Sequence, residues 1–342
     1  MTDRRLGELL ANATPFLLPL AEPFRGVTHR EGVVIQGPSG FGEFAPFLEY
    51  DDVTCARWLA STIEASYGSW PVPRRSHIPV NAIVPAADPH TAARIAYRAF
   101  VGDGCRTVKV KVAERGQMLD DDVERVAAVR SAQQSAAVPN PRIRVDANGA
   151  WSVDEAAIAI RELDAVAGGL EYVEQPCATL DELSELRRRV AVPIAADESI
   201  RNAGDPIRVA RAGAVDIVVV KVPPIGGVRL ALEVVAAAGI HVVVSGAMDS
   251  SVGLAAGIAL AGAVDDLPYA CGLGTGALLA DDLVAHTVRP QGGTLAVRRI
   301  DPDAQKLADA ADRLGAERAA WWRDRLTRAW EAGARELAGS LL

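Results

Sequence analysis

From about residue 80 onward, short apolar segments alternate with longer segments of helical periodicity. The apolar segments have the length and the Val/Ile content of buried strands, and they are residues 79–84, 107–112, 142–147, 171–175, 193–198, 216–222, 241–246 and 269–274. Between them, Ala-, Leu-, Arg- and Glu-rich segments such as 119–134, 152–165 and 228–238 have helical spacing of apolar residues. Such alternation is typical of parallel strands joined by crossover helices. Because no convincing helix directly follows the eighth strand, we predict a closed (β/α)7β barrel of the TIM type.

A doubly wound open sheet is the alternative, but no predicted strand leads into a GxGxxG turn. The two ends of the chain look different from the middle. Residues 28–47 read as a hairpin that turns at Pro38-Ser39-Gly40, and residues 58–67 read as a helix. Residues 292–299 read as one more strand, and residues 303–342 as helical.

Composition excludes several classes of protein. A net charge of −8 and a pI near 5.3 argue against nonspecific binding to nucleic acid or to acidic membranes. The N-terminus lacks the apolar core of a signal peptide, and the longest uncharged apolar stretch, residues 252–264, is too short to span a bilayer. Four widely spaced cysteines, without CxxC or zinc spacing, indicate reduced thiols and a cytoplasmic protein.

Three tryptophans near the C-terminus, Trp321, Trp322 and Trp330, have two possible roles. They could form a stripe that lies on a membrane surface, or they could pack against the body of the protein. The acidic chain, and the three acidic residues among these tryptophans, favour packing.

Lysine is rare in this chain, with four residues against 32 arginines, yet three of the four lie in predicted strands. These are Lys109, Lys111 and Lys221. An arginine stays protonated at ordinary pH, whereas a desolvated lysine amine can lose its proton and act as a base. Solvated lysines on an edge strand are the ordinary alternative, but three lysines in two valine-rich strands indicate chemistry.

Side chains of a strand alternate between its two faces, so the polar residues of these strands can be assigned to one face. In TVKVKV the valines face the helices and Lys109 and Lys111 face the barrel interior. On the next four strands the same alternation directs these side chains inward: Arg144 and Asp146 on the third strand, Glu174 on the fourth, Asp197 on the fifth and Lys221 on the sixth. Lys111, the three acids and Lys221 each lie near the C-terminal end of a strand, where such barrels place their active sites.

Three clustered carboxylates repel one another unless a cation joins them. Oxygen-only ligands on rigid strands suit a hard divalent ion, with Mg²⁺ the first choice and Mn²⁺ the substitute. A lysine on each side of that ion could remove a proton alpha to a carboxylate and stabilise the enediolate. Each acid alone could equally be a helix cap or an ion-pair partner, but five such residues on five consecutive strands form one site.

At this point the motifs VKVKV, VDAN, EQP, ADES and VKVPPIGG resemble the enolase superfamily, in its muconate-lactonising-enzyme subgroup. The resemblance covers nearly the whole chain. It implies an α+β capping domain built from residues 1–78 plus about 290–342, and a barrel domain at 79–289. By this resemblance, Asp146, Glu174 and Asp197 bind Mg²⁺, Lys111 is the base and Lys221 is the opposing lysine. Lys109 tunes Lys111, and Asn148 and Glu198 support the site.

The flanking segments FRGVTHREGVVIQGPSGFGEFAPF and ACGLGTG resemble one branch of this subgroup, and Arg144 matches an arginine of that branch. This branch converts 2-succinyl-6-hydroxy-2,4-cyclohexadiene-1-carboxylate to 2-succinylbenzoate, a syn dehydration in menaquinone synthesis. The implied partner is a small carboxylate substrate, held also by the cap segment 17–26 and by Ser245, Gly246, Gly272 and Leu273. A monomer is compatible with all of this.

Two other functions fit the same residues. Facing lysines equally suit an N-succinylamino acid racemase or a dipeptide epimerase, although the last strand lacks the DxD pattern of many such epimerases. A non-catalytic barrel is the third possibility, but drift would be expected to remove at least one of the five residues.

Overall fold

The computed structural model describes residues 4–24, 26–201 and 206–341. Its strands are β1 (Ala13–Phe24), β2 (Val27–Gly37), β3 (Gly40–Phe44), β4 (His77–Pro79), β5 (Ala82–Val84), β6 (Thr107–Lys111), β7 (Arg142–Asp146), β8 (Leu170–Glu174), β9 (Ile194–Ala196), β10 (Ile217–Lys221), β11 (His241–Ser245) and β12 (Thr294–Ala296). Its helices are α1 (Arg4–Ala11), α2 (Asp52–Tyr67), α3 (Pro89–Val101), α4 (Leu119–Ser135), α5 (Val153–Ala167), α6 (Leu180–Arg187), α7 (Glu198–Arg201), α8 (Pro206–Arg211), α9 (Val222–Ile225), α10 (Val228–Ala238), α11 (Ser251–Ala263), α12 (Ala304–Leu314), α13 (Ala316–Ala329) and α14 (Arg335–Ala338).

Seven parallel strands, β5 to β11, lie side by side in chain order and curl into a barrel with the helices outside. The gap between β11 and β5 is closed by two residues. Cys271 bridges to Val80, and Gly272 bridges to Ser245. The backbone N–H of Cys271 donates to Pro79 (2.8 Å), and that of Gly272 donates to Val244 (2.8 Å). The predicted (β/α)7β TIM-like barrel with an α+β cap is therefore confirmed.

Two predicted strands differ from the structure. The segment 79–84 is divided, because β4 pairs with β12 outside the barrel while β5 pairs with β6. The eighth strand, predicted over 269–274, is reduced to the bridging pair Cys271 and Gly272, and residues 274–278 turn into a 3₁₀ helix. Cys271 and Gly272 are enough to close the barrel, because their backbone groups bond to the residues that precede β5 on one side and to β11 on the other.

The outer helices form where the sequence supplies both an apolar face and a cap. Helices α5 and α6 each begin with a reciprocal capping box, Ser152 with Glu155 and Thr179 with Glu182. The valine faces of the strands pack against these helices in one large apolar core. The barrel interior is filled below the active end by a smaller cluster that includes Tyr172, Ile217 and Val243.

The cap contains the antiparallel sheet β1–β2–β3, helix α2 and the C-terminal helices. The predicted hairpin turn is confirmed, since Gly37 pairs with Gly40 across Pro38 and Ser39. Helix α2 begins six residues earlier than predicted, at Asp52, where Asp51 accepts a hydrogen bond from the Thr54 N–H. The long C-terminal helix is interrupted at Gly315 and at Gly333, whose positive φ takes the backbone out of helical geometry.

The tryptophans pack inside the cap, in agreement with the interpretation that we favoured. Trp322 and Trp330 are buried, and the Trp322 indole donates to the Glu31 carboxylate (2.8 Å). The cap therefore joins both ends of the chain in one apolar cluster, whereas the domain boundaries drawn at residues 78 and 290 stay a prediction. Within the described residues, no helix is both long enough and apolar enough to cross a membrane.

Candidate active site

The register of the parallel strands brings three predicted residues side by side. Lys111 on β6 is paired with Asp146 on β7, and Asp146 is paired with Glu174 on β8. One layer deeper, Lys109 is paired with Arg144, and Arg144 with Tyr172. Asp197 follows the end of β9, and Lys221 is the last residue of β10. These side chains therefore face the barrel interior, as the alternation along each strand predicts.

Lysine ammonium groups hold the three carboxylates in a buried network. Lys109 Nζ lies 3.0 Å from Asp146 Oδ2 and 2.6 Å from Glu174 Oε1. Lys111 Nζ lies 2.5 Å from the same Asp146 oxygen and donates to Asn148 Oδ1 at 2.8 Å. Lys221 Nζ lies 2.5 Å from Asp197 Oδ2. At least nine-tenths of each of these lysine and carboxylate side chains is buried.

Burial and neighbouring charges give these groups different proton affinities. Burial lowers the pKa of Lys111, and the charge of Lys109 lowers it further against the opposing effect of Asp146. Burial also disfavours the Lys109 ammonium, but Asp146 and Glu174 outweigh it and hold the pKa of Lys109 well above its usual value. Burial, together with the charge of Asp146, raises the pKa of Glu174 to about 7. Burial alone would also raise the pKa values of Asp146 and Asp197, but the neighbouring lysines outweigh it and lower both.

The donor set fits a divalent metal by its chemistry, although the present side-chain positions do not enclose one. No group of three or more His, Cys, Asp or Glu side chains among the described residues is arranged to hold a metal ion. Asp197 Oδ1, however, is buried without a hydrogen-bond partner in the described part of the chain. Buried oxygens that repel one another, one of them unpartnered, are what a hard dication stabilises.

The site opens into a cavity at the C-terminal end of the barrel. Its polar wall contains both predicted catalytic lysines and much of their surroundings: Lys109, Lys111, Asp146, Asn148, Asp197, Arg201, Lys221, Ser245 and Thr275. Glu174 is buried behind this wall, where it is paired with Lys109. A second cavity shares Ile83 and Leu278 with the site but contains neither catalytic lysine.

Arg144 lies below the cavity rather than in its wall. Its guanidinium donates to Glu171, to Asn81 Oδ1 (3.0 Å) and to the Ala270 carbonyl (2.7 Å), and it stacks over the Tyr172 ring. These contacts join β7, β8, the residue that precedes β5 and the closing segment. Arg144 therefore supports the floor of the site from within the barrel.

The four predicted substrate contacts divide into two pairs. Ser245 and Gly246 line the cavity. Gly272 instead packs against Ser245, where a Cβ atom would come within 2.5 Å of Ser245 Oγ. Leu273 is fully buried and packs against Gly257 of α11. Gly272 takes part in the barrel closure and Leu273 packs against α11, so neither lines this cavity, and their contact with substrate stays a prediction.

The apolar wall of the cavity was not predicted from the sequence. Ile83, Met248 and Leu278 of the barrel form a cluster with Leu20 and Phe47 of the cap. Leu20 belongs to the predicted cap segment 17–26, which thus reaches the mouth of the site, while Arg25 of that segment lies outside the described residues. Single apolar residues from five distant segments carry no common pattern, so only the fold reveals them.

Arg201 was also missed. It lies at the end of the short helix α7, four residues after Asp197, and it lines the cavity. Its guanidinium donates to Glu198 Oε1 at 2.6 Å. The motif ADESIR contains it, but a single arginine after a strand is indistinguishable in sequence from a surface charge.

Comparison with known proteins agrees with this architecture. Residues 16–66 match the family model "Enolase N-terminal domain-like", and residues 91–305 match "Enolase C-terminal domain-like". The chain is 54% identical to the o-succinylbenzoate synthase of Thermobifida fusca (strain YX), over 90% of this chain and 96% of the relative. It is 51% identical to the o-succinylbenzoate synthase of Mycobacterium ulcerans (strain Agy99), over 94% of each chain.

Among solved structures, the fold is similar to that of muconate lactonizing enzyme from Pseudomonas fluorescens. The TM-score is 0.72 at 20% identity, over 87% of this chain and 97% of that chain. The two family models together cover most of the cap sheet and of the barrel. The chain belongs to the enolase superfamily.

Proposed function

We propose that this chain is an o-succinylbenzoate synthase, a hydro-lyase that dehydrates 2-succinyl-6-hydroxy-2,4-cyclohexadiene-1-carboxylate to 2-succinylbenzoate with Mg²⁺. The observation that carries the proton chemistry is a single cavity lined by Lys111 and Lys221, next to three buried carboxylates. The choice of substrate rests on relatives of that name that are 51–54% identical over most of the chain.

In the proposed reaction Lys111 is the base and then the acid. Its neutral amine takes the proton alpha to the ring carboxylate, and the C–H electron pair moves into that carboxylate to give an enediolate. The electrons then return, the C–O bond at the hydroxylated ring carbon breaks, and the Lys111 ammonium protonates the departing hydroxyl. Water leaves and the ring becomes aromatic, so the same lysine serves both half-reactions on one face.

The remaining residues orient and stabilise. The ammonium group of Lys221 stabilises the negative charge of the enediolate from across the cavity. Lys109 remains protonated because the Asp146 and Glu174 carboxylates stabilise its ammonium form. Asp146, Glu174 and Asp197 would hold Mg²⁺, which supplies electrostatic stabilisation for the negative charge that develops on the substrate carboxylate. The apolar wall of Ile83, Met248 and Leu278 excludes water from the ring.

The substrate is tested by competition between reaction classes. The purified protein with Mg²⁺ should dehydrate the cyclohexadiene with a kcat/KM far above that for alpha-proton exchange of N-succinylamino acids or dipeptides in D₂O. Ultraviolet absorbance follows the first reaction and NMR the second. Because the lysines serve both reactions, only the ratio of the kcat/KM values discriminates. Efficient exchange with negligible dehydration would establish a racemase or epimerase, and the absence of both would establish a non-catalytic barrel.

The metal is tested by removal and return. Dialysis against EDTA should abolish turnover and added Mg²⁺ should restore it, with Mn²⁺ as the comparison. A crystal structure with Mg²⁺ should place oxygens of Asp146, Glu174 and Asp197 about 2.0–2.1 Å from one ion. Asp197→Asn should lose calorimetric Mg²⁺ binding, whereas Asp281→Asn, at a surface carboxylate bound to Lys306 and Arg313, should keep it. Full activity after EDTA treatment would refute the metal.

A further inference from the structure

We infer that Arg201 is a positioning residue for the base Lys111, acting through Glu198 and Asn148; this inference rests on the proposed function. Four side chains from three barrel segments form one line of hydrogen bonds. Arg201 Nη2 donates to Glu198 Oε1 (2.6 Å), Asn148 Nδ2 donates to the same oxygen (3.1 Å), and Lys111 Nζ donates to Asn148 Oδ1 (2.8 Å).

The line fixes the orientation of Asn148. Its amide has one acceptor end and one donor end, and here the acceptor end receives the Lys111 ammonium while the donor end meets a carboxylate. The flipped amide would present N–H groups to the ammonium and an oxygen to Glu198, so both contacts would become repulsive. The backbone of Asn148 is itself constrained, with φ +48° and its N–H donating to Asp146 Oδ1 (3.1 Å).

Arg201 lies at the end of this chain of hydrogen bonds and carries a permanent positive charge. Its side chain is 6% exposed, and Glu198 is 18% exposed, so the Glu198 carboxylate is largely desolvated and needs a nearby cation. Arg201 supplies that charge from the same helical turn, three residues later. Without Arg201, the Glu198 carboxylate would lose the hydrogen bond that holds Oε1 in place, and Asn148 would lose the fixed acceptor that sets its amide.

The consequence reaches the reacting nitrogen. Lys111 Nζ lies between Asp146 and Asn148, and a flexible four-carbon stem carries it. Proton transfer depends steeply on the position of the base relative to the C–H bond. A fixed Asn148 oxygen therefore keeps the lysine in the cavity on the side of the substrate. Arg201 also lines the cavity with its Nε lacking a hydrogen-bond partner among the described residues, so direct contact with substrate is the competing role.

A double-mutant cycle separates these roles. Arg201→Met should lower kcat by about 10- to 100-fold, the effect typical of losing a supporting hydrogen bond, with KM nearly unchanged. With substrate deuterated at the alpha carbon, the isotope effect on kcat should rise because proton abstraction becomes slower. Asn148→Leu should have the same signature. The pair together should be no worse than Asn148→Leu alone, since both variants break one line. Arg201→Lys should recover part of the loss.

The controls make failure interpretable. Arg189→Met removes an arginine that pairs with Glu185 on the protein surface and should behave as wild type. Circular dichroism and Tm establish that each variant is folded. Additive losses in the double variant, unchanged kinetics of Arg201→Met, or a raised KM at normal kcat would overturn the inference, and the last would assign Arg201 to substrate binding. If wild type exchanges alpha protons of N-succinylamino acids instead of dehydrating the cyclohexadiene, the proposed function fails, and the same cycle measured on exchange still decides the inference.

Discussion

Two lysines on the same face of β6, two residues apart, have opposite surroundings. Lys109 contacts two carboxylates, and its pKa is held well above the usual value. Lys111 contacts one carboxylate and a neutral amide, and its burial, followed by the charge of Lys109, lowers its pKa. The surroundings of Lys109 thus favour its ammonium form and the burial of Lys111 favours its neutral amine, a difference that supports the role of base proposed for Lys111.

Removing the base should stop the reaction without unfolding the protein. We expect Lys111→Ala to lose about three or more orders of magnitude in kcat, because the same side chain accepts the proton and returns it. Lys221→Ala should lose a comparable factor through lost stabilisation of the enediolate. Lys306→Ala, at the one lysine outside the site, is the matched control and should retain activity. Near-normal turnover of Lys111→Ala, with circular dichroism unchanged, would show that another group is the base.

At this scale the sequence predicted residues that obey a period and missed those that do not. Lys111, Asp146 and Lys221 could be proposed from the sequence because strand alternation places them on the inward face. Their position at the C-terminal end of a strand places them at that end of the barrel. Arg201 and Phe47 lie on a short helix and in a loop, where no period assigns a direction. Their positions depend on how the cap packs against the barrel. The pattern of apolar and polar residues within one strand carries no information about that packing.

At the scale of elements, the closure of the barrel depends on a glycine. Gly272 donates its N–H to Val244 (2.8 Å), and its carbonyl accepts from the Gly246 N–H (3.0 Å) and from Ser245 Oγ (3.2 Å). An added Cβ would lie 2.5 Å from that hydroxyl and 3.1 Å from the Ser245 Cβ. The two backbones can therefore approach this closely only because residue 272 has no side chain.

Filling this gap should destabilise the barrel. We expect Gly272→Ala to lower the free energy of unfolding by about 1–3 kcal/mol, the usual cost of overpacking. Ser245→Gly in the same chain should restore part of that loss, because it removes both close atoms. Gly7→Ala on the exposed face of α1, where no heavy atom lies within 4 Å, is the control and should be neutral or slightly stabilising. Chemical denaturation measures all four proteins, and equal stability of Gly272→Ala and wild type would contradict the tight closure.

The element that sequence reasoning missed most completely is β1. Its sequence ATPFLLPLAEPF contains three prolines, which argue against a strand in the middle of a sheet. In the structure β1 lies at the edge of the cap sheet, with Pro15 opposite Val33 and Pro19 opposite His29 on β2, and it makes a single further bridge from Leu20 to Leu279. An edge strand leaves every second N–H unused by the sheet, so proline is tolerated there. Whether a proline disrupts a strand therefore depends on the position of that strand in the sheet, which local sequence does not reveal.

At the scale of the whole molecule, cap and barrel meet through buried charges. Arg30 on β2 donates to the Met248 carbonyl (3.2 Å) and to the Ala45 carbonyl (2.5 Å), and it lies over the Phe47 ring. Glu43 on β3 accepts hydrogen bonds from the N–H and the hydroxyl of Ser250. These contacts fix the loop after β11, where Met248 adopts φ +62° in the wall of the cavity. The cap therefore shapes the site through the backbone of a barrel loop.

This junction should make stability depend on pH. Burial, followed by the charge of Asp249, raises the pKa of Glu43 to about 7, against the opposing effects of Ser250 and Arg30. Folded protein then holds a proton that the unfolded chain releases near pH 4.5. The stabilisation from that proton is complete below pH 4.5 and is lost as pH rises through about 7. The charged groups that act on Glu43 are Asp249 and Arg30. Glu49 and Tyr50 act in turn on Arg30.

We therefore expect Glu43→Gln to flatten the pH dependence, since glutamine keeps an acceptor for Ser250 and carries no charge. Between pH 5 and pH 8 the free energy of unfolding of the variant should rise relative to wild type, by at most about 3 kcal/mol. Asp88→Asn is the control: its helix-capping carboxylate has a pKa lowered by the Thr91 hydrogen bonds, so it is ionised in both states across this range. That substitution should shift the curve equally at every pH. Parallel curves for wild type and Glu43→Gln would show that Glu43 is already ionised at the junction at pH 5.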